Sequence, residues 1–461
     1  MFTSPSPSGS SSAFTNKRLP ERLRDLALRH GAGARTISSA ASHLRLCAAQ
    51  ADWPALHGRN VLLAMGPQVD AVAACLALDG RARRLVLLPP DADAAHLDAH
   101  LADAAIDAVL TDAADRRFDG RAALVARMDE GVTHRRTARD VDTQWVLLTS
   151  GTSGPPKLVA YALAALVAPI APTPLGAPPP VWATFYDIRR YGGLAILLRA
   201  LLGPGSMVLS QAGEPLADHL ARLEHAGVTH MSGTPSHWRR VLMSAHDFAP
   251  RYIRLSGEIA DQALLDALGR AFPHATIEHA FASTEAGVAF AVADGREGFP
   301  RTLLDRAGPV EMRVVDGSLR IRSDRTARDY LGAAGGALKD ADGFVDTGDM
   351  VAFDGDRARF AGRRNGIVNV GGRKVHPEEV EAVLNRHPRV AMSKVTARKS
   401  PITGAIVTAE IVLDQAGGEL IVEREIRAAC RAVLEPHKAP ALIRFVDALR
   451  VTQAGKLARD A

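Results

Sequence analysis

Cysteine is scarce. Cys47, Cys75 and Cys430 are the only three in 461 residues, and they form neither a Cys-x-x-Cys pair nor a Cys/His group with metal-ligand spacing. This excludes a disulfide framework and a zinc site of the usual type, and it fits core thiols in a reducing compartment. Long apolar runs are also missing, because charges, Gly or Pro interrupt every Ala/Leu-rich stretch; no membrane-spanning segment is expected. Met1 to Ser12 is rich in Ser and Pro without the apolar centre of a signal peptide, so residues 1–20 read as a flexible tail and the protein as cytoplasmic. There is no block of like charge. The formal balance of +5 comes from interspersed Lys/Arg and Asp/Glu, and no arginine-rich, aromatic-interleaved segment points to nucleic acid. Internal repeats are absent as well.

What is present indicates folded, multidomain chemistry. Hydrophobic residues make up 47% and charged residues 23%, the balance of an ordinary globular chain, and the length calls for two or three folding units. From Arg59 to Asp112, short aliphatic runs alternate with helical patterns. Strands are expected at 60–65, 84–88 and 145–148, with helices at 69–78 and 91–105. This is the signature of a parallel α/β sheet. Further strand-turn-helix units follow around Val181, Val228 and Tyr252, the second turning at Thr234-Pro235 into a helix expected around Trp238 to Met243 and the last turning at Ser256-Gly257-Glu258; ligands of such sheets bind at the carboxyl ends of the strands. Beyond Gly308 the pattern becomes alternating short strands. The fold class is α/β: a large N-terminal domain (21–362) of layered α/β sheets with a β-rich subdomain, and a small α+β C-terminal domain (363–461).

The most informative local pattern is Thr149-Ser150-Gly151-Thr152-Ser153-Gly154-Pro-Pro-Lys157, directly after a strand. Its glycines expose backbone N–H groups, its hydroxyls add donors and Lys157 adds positive charge, together a cradle for polyphosphate. It is not a Walker A loop, since the lysine offset is wrong and no Ser/Thr follows. A P-loop kinase or ATPase is disfavoured on that ground.

This loop resembles the phosphate loop of the adenylate-forming superfamily, which includes acyl-CoA synthetases, aryl-CoA ligases, luciferases and nonribosomal-peptide adenylation domains. Other motifs recur in the family's order over residues 55–461. Phe281-Ala282-Ser283-Thr284-Glu285 is similar to the aromatic-Gly-x-Thr-Glu motif, and the resemblance implies that Thr284 binds the α-phosphate and Glu285 holds Mg²⁺. A hydroxyl donor and a hard carboxylate suit those tasks, although a Thr-Glu pair alone reads as a helix start. Thr347-Gly348-Asp349 resembles the motif whose aspartate receives the ribose diol. Arg363 resembles the hinge arginine that touches ribose or phosphate, but Asn365-Gly366 follows where many members carry an acidic hinge residue. Gly371-Gly372 matches the loop lining the thiol channel. Gly455-Lys456 is similar to the terminal motif whose lysine serves the first half-reaction. The turn's Gly257 and Glu258 belong to the ATP site on the same resemblance.

The resemblance implies ATP, Mg²⁺ and a small carboxylic acid as reactants, with coenzyme A or the phosphopantetheine of a separate carrier protein as acceptor. The small domain is implied to be a mobile lid: Lys456 acts first, then withdraws while Gly371-Gly372 is presented. It places the acid pocket among Tyr186, Asp187, Tyr191, Ser256 and Gly287. Two readings of that pocket stand. Ser256-Gly257-Glu258 is similar to the turn of benzoate-type ligases, and Tyr186 with Tyr191 flanking a ring favours an aryl or compact acid. Phe185-Tyr186-Asp187 is similar to the Phe-Asp motif of amino-acid-activating domains, unless Asp187 pairs with Arg189 or Arg190 in a surface ion pair. A nucleotide-binding regulator without catalysis is the alternative of another class.

Overall fold

The alternating strand and helix signals form two sheets whose inner faces share one core. A computed structural model describes residues 27–29, 37–39 and 53–459, apart from 113–114, 128–139, 150–155, 172–176, 204, 333–334, 401–403 and 453–454. The 1–20 tail and Cys47 lie outside them. In the first sheet the strands run Asp329–Leu331, Leu158–Ala162, Gln144–Leu148, Arg84–Leu87, Asn60–Ala64, Ala108–Thr111 and Leu124–Arg127. The five from Gln144–Leu148 onward are parallel; the other two are antiparallel additions at one edge. Side chains alternate between two buried faces. Val61 and Leu63 enter the shared core, while Leu62 and Ala64 pack on the opposite face with Leu97 and Leu101, as expected of a sheet covered on both sides.

The second sheet places Val181–Thr184, His230–Gly233, Tyr252–Ser256 and Thr276–Ser283 in parallel register, with Gly287–Val292 antiparallel at the end. Helix Tyr191–Leu202 is apolar around most of its surface and buried in the shared core; a helix without a polar face needs such a position. Two helices differ from the sequence expectation. The 91–105 helix is a 3₁₀ turn, Ala94–His96, followed by Leu97–Asp103, because Asp93 caps the start by accepting the Ala95 N–H at 2.9 Å. The helix expected at Trp238 starts earlier, at Pro235, because Thr234 caps it.

The β-rich sheet is antiparallel, with Val345–Asp354 between Ser318–Ser323 and Arg357–Arg363. Arg363, expected to open the small domain, ends a strand of this sheet. A separate core follows, from Val370 to Ile443, of helices Pro377–Leu384 and Glu419–Val433 against strands Val390–Ser400, Gly404–Leu413 and Leu442–Phe445. No described helix is long and apolar enough to cross a membrane. Cys75 and Cys430 are buried free thiols.

Candidate active site

The carboxyl-end turns of the second sheet, the β-rich sheet and the last residues of the chain meet in a cleft of about 2230 Å³. Thr149, Lys157, Gly257, Glu258, Phe281, Ala282, Ser283, Thr284, Glu285, Asp349, Arg363 and Lys456 all line it. Ser150, Gly151, Thr152, Ser153 and Gly154 lie outside the described residues. The ends of their loop are tied together: Thr149 N–H donates to the Lys157 carbonyl and Lys157 N–H to Thr149 Oγ1, each at 2.9 Å. The Lys157 ammonium sits 4.5 Å above the Tyr330 ring, a cation–π contact on the cleft wall.

Thr284-Glu285 is a turn between Thr276–Ser283 and Gly287–Val292, and no helix starts there. Three bonds hold it. Ser283 Oγ accepts the Ala286 N–H at 3.0 Å, Tyr161 donates its buried hydroxyl to the Thr284 carbonyl at 2.6 Å, and Ala327 N–H donates to the Glu285 carbonyl at 3.0 Å. Gly287 has φ +69° against the Arg325 carbonyl, a close approach that excludes a side chain. Glu285 takes a 3.4 Å bond from the Tyr330 hydroxyl. Among the described residues no three His, Cys, Asp or Glu side chains converge on a cation site. A lone hard carboxylate such as Glu285 fits Mg²⁺, which is commonly held by one or two carboxylates and a substrate's phosphates.

Asp349 stands opposite Arg363 in the strand register, and the arginine Nε donates to its Oδ1 at 3.1 Å. Its Oδ2 is buried without a partner. A buried acceptor left open in this way is costly and marks a place for a donor from outside the protein. Burial raises the Asp349 carboxyl against the pull of Arg363 and Lys456. Burial lowers Lys456, with Arg363 adding to the effect, while Glu258, Asp349 and Glu285 oppose it. The ammonium brought by the small domain therefore faces the acidic side chains of the large one.

Several expected positions are placed differently. Tyr186 is buried, and its hydroxyl donates to the Ser256 carbonyl at 2.8 Å, so it props the turn from beneath. Asp187 gives both carboxylate oxygens to Arg189, at 2.7 and 2.5 Å. That pair is not at the surface, since the arginine side chain is 1% exposed and also donates to the Met65 carbonyl. A buried guanidinium requires such a partner, so the Asp187 carboxylate is committed to Arg189. Arg190 pairs with Asp91 instead. Tyr191 packs on Tyr161, ring centroids 5.8 Å apart, within the core. None of Tyr186, Asp187, Tyr191, Ser256 and Gly287 lines the cleft. Gly371 and Gly372 form the exposed turn of the hairpin Val368–Val370/Arg373–Val375, with φ +58° and +82°, and likewise do not line the cleft. Glu258 lines the cleft as well, and its side chain is engaged by the protein: its two oxygens accept the N–H groups of Ser236 and Leu457.

Comparison with known proteins identifies the fold and the family. A solved anthranilate CoA ligase, AuaEII in complex with anthranoyl-AMP, superposes with a TM-score of 0.80 at 19% identity, over 95% of this chain and 94% of that one, so the fold is that of adenylate-forming enzymes. The family description "AMP-binding enzyme" matches residues 54–331, and "AMP-binding enzyme C-terminal domain" matches 379–456. The chain belongs to the AMP-binding enzyme family. The 2-succinylbenzoate–CoA ligase of Salmonella typhimurium is 26% identical over 344 residues, 73% of each chain. The 4-coumarate–CoA ligase 1 of Glycine max is 28% identical over 232 residues, 45% of this chain and 78% of that one. Other relatives are matched over less of their length, 21% for the human mitochondrial acyl-coenzyme A synthetase ACSM1.

Proposed function

We propose that this protein joins a carboxylic acid to the α-phosphate of ATP, releasing pyrophosphate, and then transfers the acyl group to a pantetheine thiol of coenzyme A or a carrier protein, releasing AMP. The observation that carries the reading is the meeting of Lys456 with Asp349 and Glu285 at one cleft although they come from separate parts of the chain. The acid is already ionised at neutral pH and needs no base. Both reactants are anions, so the chemical task is charge neutralisation around the pentavalent phosphorus. Lys456 and Lys157 supply fixed positive charge, and Thr284 a hydroxyl donor. Glu285 would hold Mg²⁺, whose contribution is to neutralise phosphate oxygens. Asp349 Oδ2 accepts a ribose hydroxyl, with Arg363 beside it.

An aryl or compact acid is the favoured substrate. The relatives named for anthranilate, 2-succinylbenzoate and 4-coumarate support it, and the pairing of Asp187 with Arg189 counts against an amino acid. The test is a pyrophosphate-exchange screen with benzoate, anthranilate, short aliphatic acids and amino acids. An aryl acid is expected to give the fastest exchange, with AMP and not ADP as the product of a full turnover; ADP formation, or exchange with none of the acids, would refute the proposal.

A further inference from the structure

The loop that carries Lys456 is held at both sides of the lysine by side chains of the other domain. Within the loop, Val451 and Leu457 form a bridge, Thr452 N–H donates to the Lys456 carbonyl at 2.7 Å and Gly455 N–H to the Thr452 carbonyl at 2.8 Å. This makes a narrow turn that presents the lysine. On one side of it, Thr234 Oγ1 donates to the Gly455 carbonyl at 2.6 Å. On the other, Leu457 N–H donates to Glu258 Oε1 at 2.8 Å, while Glu258 Oε2 accepts Ser236 N–H at 2.9 Å. The lysine stem passes over Gly257, where an added Cβ would lie 3.3 Å from its Cε.

We propose that Glu258, assisted by Thr234, is a positioning residue for Lys456: its carboxylate bridges the two domains through backbone amides and fixes the ammonium in the cleft for acid activation, and it has no task once the small domain turns away. A carboxylate accepting two N–H groups is a strong, directional tie, and an error of about 1 Å in a reacting group costs on the order of 10²-fold in rate. Glu258 touches neither reactant in this scheme. Its effect should therefore appear in one half-reaction alone. The proposal rests on the acid-activating reading for its kinetic test, and has a second test that does not.

The variant is Glu258→Gln, which keeps the shape but turns an NH₂ toward one of the two amides. In hydrogen–deuterium exchange on the full chain without substrate, the backbone amides of residues 450–459 are expected to exchange roughly tenfold faster, the loss of one anchoring bond of about 1.4 kcal/mol. With the best acid from the pyrophosphate-exchange screen, exchange should fall roughly 10- to 100-fold, mainly in kcat. Thioester formation from synthetic benzoyl-adenylate and coenzyme A should be unchanged, which also shows that the variant is folded. Unaltered amide exchange, or equal losses in both half-reactions, overturns the proposal. If the wild-type protein activates no acid, the functional reading fails and amide exchange alone decides whether the clamp exists.

Discussion

At the scale of single residues, the open acceptor on Asp349 and the desolvated Lys456 make separate demands. Asp349 Oδ2 is buried without a donor while Oδ1 holds Arg363. Asp349→Asn puts an NH₂ beside Arg363 or into the ribose position, and either choice loses a charge-assisted bond worth about 1.5–3 kcal/mol. The expected result is a KM for ATP raised roughly 10- to 100-fold, read from pyrophosphate exchange at varied ATP; an unchanged KM would place the ribose elsewhere. Lys456 works as a cation, and burial lowers its pKa below that of an exposed lysine. Its charge is lost as pH rises through the depressed value. The adenylation rate should thus decline on the alkaline side earlier than an exposed lysine would allow, while thioester formation from preformed adenylate lacks that limb.

At the scale of elements, helix Pro235–Leu242 shows how capping and site are joined. Thr234 Oγ1 accepts the His237 N–H, and His237 Nδ1 accepts the Thr234 N–H at 3.1 Å, a reciprocal capping box. An imidazole that accepts at Nδ1 must be neutral there. Burial, with Arg240 and His219 adding to it, pushes His237 down to about 3 from an ordinary 6.5. Between those values the unfolded chain binds a proton that the folded one refuses, so stability is full above pH 6.5 and falls as pH drops toward 3. At pH 5 this single group costs about 2 kcal/mol at most. Urea unfolding at pH 7 and pH 5 should show the loss, and His237→Gln should shrink it; a variant as acid-sensitive as the wild type would contradict this account. Thr234-Pro235 announced a turn in the sequence, and the strand-turn-helix rhythm around it was legible because periodicity and caps are local properties. That the motif segments belong together was legible too, since each is a short contiguous pattern, and those described, Gly371-Gly372 apart, line one cleft from Thr149 to Lys456. Glu258, Asp187 and Tyr186 were not. Their roles depend on partners that periodicity does not reveal: an amide 199 residues away for Glu258, a buried Arg189 for Asp187 and the Ser256 carbonyl for Tyr186.

At the scale of the whole molecule, the proposed reaction asks one docked arrangement to serve the first step and to be left for the second. The small domain is seated by more than the lysine loop. Asp261 accepts Arg239 at 2.5 and 2.7 Å and Asn385 Nδ2 at 2.9 Å, while Asn385 Oδ1 accepts the Ser393 hydroxyl at 2.8 Å. In this seating the Gly371-Gly372 turn is exposed and does not line the cleft. If the domain rotates between steps, as hinge closures do elsewhere, changes that act only in the docked state must spare thioester formation. Lys456→Ala removes a fixed charge and is expected to lower adenylation by about 10²- to 10³-fold, leaving thioester formation from synthetic adenylate near the wild-type rate. Gly455→Ala is the sharper test because it keeps the lysine. At φ +70° a methyl there would overlap the His237 ring, a clash that exists only while the tail loop sits against helix Pro235–Leu242. The two variants should therefore share one profile, slow adenylation with intact thioester formation, by unrelated routes: one lacks the charge, the other cannot bring it home. If Gly455→Ala instead slowed both steps equally, the docked arrangement would have to persist through the whole cycle, and the idea of a lysine delivered and then withdrawn would have to be abandoned.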